Sequence, residues 1–244
     1  CFDESLGTGF RQQIYPAYKA NREPPDEALL RQFGHCRSIA RLLGASTHAD
    51  TRYEADDLIG SLARVARTHG HRVLVISADK DLTQLLGEGD EQWDFGRERR
   101  FDRKAVKERF GVRPEQMVDL LALAGDPIDN IPGVRGIGQL GAARLLQHFG
   151  DLDALYQRID EVGHLSIRGA KSLQAKLQQQ REQAYLSRRL SAIHCEAPVP
   201  QDLKDLRPRA PDVDALAELF DDLGFGPFLR RRAQAVAARH AGAA

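Results

Sequence analysis

Across residues 27–43 the apolar positions Leu29, Leu30, Phe33, Ile39, Leu42 and Leu43 fall on one stripe of a helix. Leu58, Ile59, Leu62 and Val65 repeat that spacing and predict a second helix. Arg72-Val73-Leu74-Val75-Ile76-Ser77 follows, a short β-branched run that reads as a strand buried on both faces. The order helix, buried strand, helix argues for an α/β layer with a mostly parallel sheet, in which ligands gather at the carboxyl ends of the strands. From Pro114 onward the pattern changes to helices joined by glycine turns, over residues 116–124, 139–149 and 170–190. Leu216, Leu219, Phe220 and Leu223 predict a further helix over 213–229 that packs back on the body, and the proline-bearing stretch 197–212 reads as a surface connection. The expected division is a sheet-bearing core over 1–113 and a helical part over 114–244.

At 244 residues and 42% hydrophobic content the chain can bury a real core, as one sizeable domain or two small ones. Thirty-five basic residues balance 35 acidic ones, so whole-chain charge announces no partner. Basic runs at Arg97, Arg99, Arg100, Arg103, Lys104, Lys107 and Arg109, and at Arg230, Arg231 and Arg232, read individually as solvated helix faces. Cys1, Cys36 and Cys195 have neither metal spacing nor an even count, so free thiols and a reducing, cytoplasmic setting are expected. No apolar stretch is long enough to cross a bilayer, and no signal-peptide pattern is visible. The chain opens at Cys1-Phe2-Asp3, so it is expected to be a fragment of a longer protein.

Three acidic clusters change the picture: Glu54-Ala55-Asp56-Asp57, Asp79-Lys80-Asp81 and Gly125-Asp126-Pro127-Ile128-Asp129-Asn130. Carboxylates about 4 Å apart repel by roughly 1 kcal/mol in water and by more where water is excluded, so a folded cluster calls for a cation. Each cluster also has a plain structural explanation. Glu54, Asp56 and Asp57 suit the first turn of a helix, Asp81 suits an N-cap, and Asp126 with Asp129 suits an Asx-type turn. Asp79, directly after a strand, has no such explanation. Oxygen-only donor sets suit Mg²⁺ or Mn²⁺ and disfavour zinc, and two such cations about 4 Å apart are a common way to hydrolyse a phosphodiester.

The third cluster runs into Ile131-Pro132-Gly133-Val134-Arg135-Gly136-Ile137-Gly138. A helix rather than a strand precedes these glycines, which argues against a dinucleotide fingerprint and for a helix-hairpin-helix. Such a hairpin lets backbone amides meet a phosphate without reading a base, whereas the alternative is a bland turn between helices.

Taken together, Phe2-Asp3, Phe10-Arg11, Tyr15-Pro16-Ala17-Tyr18-Lys19-Ala20-Asn21-Arg22, Glu54-Ala55-Asp56-Asp57, Ser77-Ala78-Asp79-Lys80-Asp81 and Gly125 through Gly138 resemble the 5′-to-3′ exonuclease and flap-endonuclease family. The likeness is to the nuclease domain at the N-terminus of bacterial DNA polymerase I and its stand-alone bacterial relatives. It covers nearly the whole chain, and Leu223-Gly224-Phe225-Gly226 resembles the end of that domain. The resemblance implies a PIN-like sheet flanked by helices, a helical arch, and a C-terminal helix-three-turn-helix that grips duplex DNA.

By motif position, the resemblance implies Asp3, Glu54, Asp56 and Asp57 around one Mg²⁺ (or Mn²⁺), and Asp79, Asp81, Asp126 and Asp129 around a second, Asp79 serving both. It places Lys19 and Arg22 on the scissile phosphate beside Asp56 and Asp79, with Tyr18 stacked on a base. Arg11, Arg135, Gly133, Gly136 and Gly138 join them as DNA contacts, and backbone carbonyls of Leu123, Ala124, Pro132, Val134 and Ile137 would hold a potassium ion. The implied activity is Mg²⁺-dependent, structure-specific cleavage of 5′ flaps or 5′ ends of DNA by a monomer in replication and repair. The rivals are a catalytically weakened DNA-binding module of the same fold and a PIN-like ribonuclease. The family also carries a ligating aspartate on a strand upstream of the Phe2-Asp3 match, so the neighbours of that strand are expected to lack a partner.

Overall fold

The computed structural model describes residues 1–4, 7–166 and 169–243. β1 (Phe2–Asp3) pairs in parallel with β2 (Ala49–Asp50), with Asp3 opposite Asp50. β3 (Leu74–Ile76) pairs in parallel with β4 (Glu91–Asp94), and β4 turns back antiparallel onto β5 (Arg99–Phe101). Among the described residues no strand of one sheet pairs with a strand of the other. Among the described residues β3 therefore has a strand neighbour on one side only. Val75 is buried, but Leu74 and Ile76 are 46% and 62% exposed, which corrects the reading of a strand buried on both faces.

In the amino-terminal half, α1 (Phe10–Ile14) leads through a tight turned segment to α2 (Glu27–Leu42), which Asp26 caps by accepting the Leu29 amide. The predicted stripe of α2 exists, yet Leu29, Leu30 and Phe33 at its amino end remain exposed. Only its far end is covered, where Ile39 and Leu42 meet Leu216 and Phe220. α3 (Ala55–Thr68) buries Leu58, Ala63 and Val65, and α4 (Arg103–Phe110) is set by the Asp102 cap and the turn at Gly111.

The main core lies in the carboxyl-terminal half. α5 (Met117–Ala124), α6 (Gln139–Phe149), α7 (Leu152–Gln157), α8 (Ile159–Val162), α9 (Ala170–Gln179) and α10 (Arg181–Ser191) gather around Met117, Leu120, Leu145, Leu152 and Leu177. Burying each such leucine contributes roughly 2 kcal/mol. α10 lies along α5, and Arg188 locks the pair by bonding Asp119 on α5 and Asp153 on α7. α11 (Val213–Asp222) and α12 (Pro227–Ala243) return to the far end of α2. Two predicted helices are thus each divided, 170–190 at Gln180 and 213–229 at Leu223-Gly224. Among the described residues no helix is long and apolar enough to cross a membrane, and the three cysteines are free.

Candidate active site

The three acidic clusters arrive from three elements. Asp3 ends β1 and accepts the Ala55 amide (2.6 Å), which fastens the strand to the start of α3. Asp79 follows β3 through a short turn, where its carboxylate accepts the Asp81 amide (2.9 Å). Asp126 and Asp129 sit in the turn after α5, closed by reciprocal backbone bonds between Asp126 and Ile131.

Asp56, in the first turn of α3, has its pKa raised to about 7, first by burial and then by the fields of Asp79 and Asp3. Asp81 is also raised to about 7, again first by burial, against the opposing pull of Lys80 and with help from Asp79, Asp126 and Asp129. The structure thus brings Asp3, Asp56, Asp79, Asp81, Asp126 and Asp129 into one mutually repelling neighbourhood. Among the described residues, no three of these acids stand close enough to close on a single ion as placed.

Basic side chains answer Asp126, Asp129 and the neighbouring Glu54, while Asp3, Asp56 and Asp79 have no ion-pair partner among the described residues. Lys19 donates to Glu54 Oε1 (2.6 Å) and lies 3.7 Å from Asp129. Arg22 pairs with Asp129, and Lys80 with Asp126 (2.5 Å). Burial works against the charge on Lys80, but the Asp126 bond and the other aspartates raise its pKa. Asp81 has a buried Oδ1 with no hydrogen-bond donor, its nearest cation being Lys80 at 3.9 Å. An all-oxygen set with raised carboxyl pKa values and an orphaned buried oxygen fits a hard divalent cation.

Lys19 itself adopts a left-handed backbone (φ 55°), a conformation costing a non-glycine residue roughly 1–2 kcal/mol. Its amide donates to Asp129 O (3.0 Å), while Asn130 Nδ2 donates to Ala17 O (2.6 Å). The turn carrying Lys19 and Arg22 is therefore clamped onto the third acidic cluster.

Four expectations need correction. Asp57 is completely buried and all its acceptor directions are used, by two nitrogens of Arg11, the Glu54 amide and the His194 amide (2.7–3.0 Å). It is a structural counter-ion and capping group rather than a metal ligand. Arg11 is 3% exposed and donates to Glu54, Asp57, Leu190 O and Ala192 O, so no nitrogen is left for DNA. Burial penalises its charge, yet Asp57 and Glu54 more than offset this and raise its pKa. Tyr18 is 4% exposed, with its hydroxyl donating to Glu54 (3.0 Å), so it does not stack on a base. Burial, followed by the field of Glu54, raises its pKa as well.

Gly133 is the fourth correction. It is buried, its amide donates to Ser187 Oγ (3.0 Å) and its carbonyl accepts from Gln183 (2.5 Å). A Cβ there would lie 2.3 Å from Gly125 N, so glycine is needed because two backbone segments cross in contact. Arg135, Gly136 and Gly138 are exposed at the mouth of the hairpin, and Gly138, at the N-cap of α6, offers no side-chain cap to its first amides. That geometry suits a phosphate. Of the five hairpin carbonyls, those of Leu123 and Val134 already accept the amides of Val134 and Ile137.

Sequence reasoning missed Lys80 as a counter-ion, although it stands between two aspartates. It also missed Ser187, Gln183 and Arg188, which hold the hairpin and α5 from α10 and carry no local signal.

Residues 1–111 match the 5′-3′ exonuclease N-terminal resolvase-like domain, and residues 112–214 match the 5′-3′ exonuclease C-terminal SAM fold. The chain is 39% identical over 227 residues to DNA polymerase I of Pseudomonas aeruginosa, covering 93% of this chain and 25% of that protein. It is 40% identical over 237 residues to the thermostable DNA polymerase I of Thermus thermophilus, covering 93% and 26%. It therefore spans about a quarter of the length of these relatives. The fold is similar to that of the T5 5′-exonuclease with bound zinc (TM-score 0.65, 22% identity, 97% of this chain and 82% of that one). It is also similar to the catalytic core of Rad2 in complex with DNA substrate (TM-score 0.61, 16% identity, 98% and 76%).

Proposed function

The chain belongs to the 5′-3′ exonuclease family, and from that premise we propose that it hydrolyses DNA phosphodiesters at 5′ flaps or 5′ ends with the help of Mg²⁺. The observation that carries the reading is the convergence of Asp3, Asp56, Asp79 and Asp81, with Asp56 and Asp81 each pushed up to about 7 by burial and by the field of Asp79 among other acids. Asp3, Glu54 and Asp56 would hold one ion, and Asp81, Asp126 and Asp129 the other, with Asp79 between them. Divalent cations bound there would supply Lewis-acid activation of water and screening of the charge that develops on the leaving oxygen.

The protein's own contribution is positioning. Lys19, held at the edge of the acids by its clamped turn, and Arg22, half-exposed beside it, would receive the scissile phosphate and neutralise it. Arg135, Gly136, Gly138 and the first amides of α6 would grip the duplex through phosphate and shape, without reading sequence. A potassium ion on the hairpin carbonyls of Ala124, Pro132 and Ile137 would add a bridge to that strand. Residues 1–113 then act as the cutting core and 114–244 as the duplex grip and its support.

A 5′-labelled flap duplex tests the reading. Cleavage with Mg²⁺ that disappears with chelator and with Asp56→Asn supports it. Tight binding without any cleavage, indifferent to Asp56→Asn, would leave a DNA-binding module of the same fold.

A further inference from the structure

The segment 197–212 docks against the far end of α2 through its backbone. The Arg209 amide donates to Gly44 O (2.9 Å) and the Asp212 amide to Leu42 O (2.8 Å). Gly44 has φ +84°, and a Cβ there would fall 2.0 Å from Arg209 O, so the docking depends on glycine at this position. Between the segment and the loop after α2 lies a cavity of about 290 Å³, lined by Arg41, Ser46, Thr47, Asp205, Arg207 and Arg209. That volume is just below the roughly 300–1,000 Å³ of small-ligand pockets, so the occupant is a small group.

The lining carries three positive charges against one negative charge. Arg41 Nε donates to Thr47 Oγ1 (2.8 Å), an acceptor that fixes the guanidinium without neutralising it. Among the described residues no carboxylate oxygen lies within 4.0 Å of the guanidinium nitrogens of Arg41, Arg207 or Arg209. Elsewhere in the chain Arg11, Arg22, Arg67 and Arg103 are each held by a carboxylate. The three arginines are exposed, so their mutual repulsion is screened, and an anion seated between them would be attracted by all three.

The cavity is not an extension of the acidic site. β1 and β2 run parallel with their carboxyl ends at Asp3 and Asp50, while Arg41 and residues 44–47 precede the amino end of β2. It therefore lies at the opposite end of that sheet. Planar guanidinium forks match the tetrahedral face of a phosphoryl group better than they match a monatomic anion, and Ser46 and Thr47, whose hydroxyls bond His48 and Arg41, also line the cavity.

We infer that the cavity between segment 197–212 and the end of α2 is a second, phosphate-binding site. It takes a phosphoryl group carried either by a free diphosphate or by the backbone of a nucleic acid strand crossing that end of the molecule. The inference does not rest on the nuclease reading.

The test compares the full chain with the Arg41→Ala/Arg207→Ala/Arg209→Ala variant by calorimetry with inorganic pyrophosphate in chelator. A second arm measures flap-duplex affinity from 50 to 300 mM salt. Pyrophosphate binding that weakens at least tenfold in the variant supports the free-anion form, and Asp56→Asn leaves that binding unchanged. No pyrophosphate binding, but a salt dependence shallower in the variant by about one phosphate contact or more (roughly 0.9 in log–log slope each), supports the backbone form. If the triple variant does not fold, Arg207→Ala alone is read in the same way at a smaller amplitude. Wild-type behaviour of the variant in both arms overturns the inference.

Discussion

Replacing Asp56 by asparagine should stabilise the metal-free protein above neutral pH. In the folded state its carboxyl is pushed from an ordinary 3.8 up to about 7 by burial and by Asp79 and Asp3. In the unfolded chain it titrates near its ordinary value. Between these limits the folded state keeps a proton that the unfolded state has released, so the contribution of Asp56 to stability is full below about pH 4 and lost as pH rises through 7. Roughly three pH units at about 1.4 kcal/mol each set an upper figure of ~4 kcal/mol, and residual contact with water brings the expected loss to about 2–4 kcal/mol.

The measurement is urea unfolding in chelator at pH 4, 6 and 8, followed by fluorescence of Trp93, the single tryptophan, which packs on Phe95 in the β3-to-β5 sheet. Asp56→Asn should match the parent at pH 4 and exceed it by about 2–4 kcal/mol at pH 8. Added Mg²⁺ should narrow or reverse that gap, because an ion at 100 times its Kd stabilises the protein able to bind it by about 2.7 kcal/mol. A variant no more stable than the parent at pH 8 in chelator would refute the crowding argument.

Arg11→Ala leaves Asp57 buried and unpaired, so unfolding should become easier by about 3–5 kcal/mol in a chemical-denaturation assay. A loss below 1 kcal/mol would mean that the Arg11–Asp57 pair is not the joint between α3 and the end of α10. Gly133→Ala puts a methyl group against Gly125 N and forces a left-handed alanine, so a loss of about 2 kcal/mol or more is expected, together with weaker duplex binding in a gel-shift assay. Lys19→Ala should slow single-turnover cleavage at least a hundredfold while changing flap-duplex affinity less than tenfold. Equal losses in both would reduce Lys19 to an ordinary phosphate contact.

The acids and the hairpin were legible in the sequence because they are local. α6 begins and ends where its apolar spacing and flanking glycines place it, and each acidic cluster spans only a few residues. The cations that answer them were not legible as partners, since Lys19 reaches Glu54 across 35 residues and Arg22 reaches Asp129 across 107. The same distance hid the role of Arg11, which the resemblance placed on DNA and which the structure holds in a buried pair with Asp57. Segment 170–190 contains no helix-breaking residue. It divides at Gln180, whose side chain accepts the Arg135 amide (2.8 Å), a tertiary bond that periodicity cannot register. The β4–β5 hairpin escaped notice because Glu91–Asp94 is short and polar, and the exposure of β3 escaped because an apolar run does not show whether a strand has one neighbour or two.

The central claim is that three separated acidic clusters form one divalent-cation site. Mn²⁺ titration followed by paramagnetic resonance of the free ion tests it without requiring turnover. Saturable uptake by the parent, weakened at least tenfold in the Asp56→Asn/Asp81→Asn variant and competed away by Mg²⁺, is the predicted result. Uptake by that variant equal to the parent's would contradict the claim.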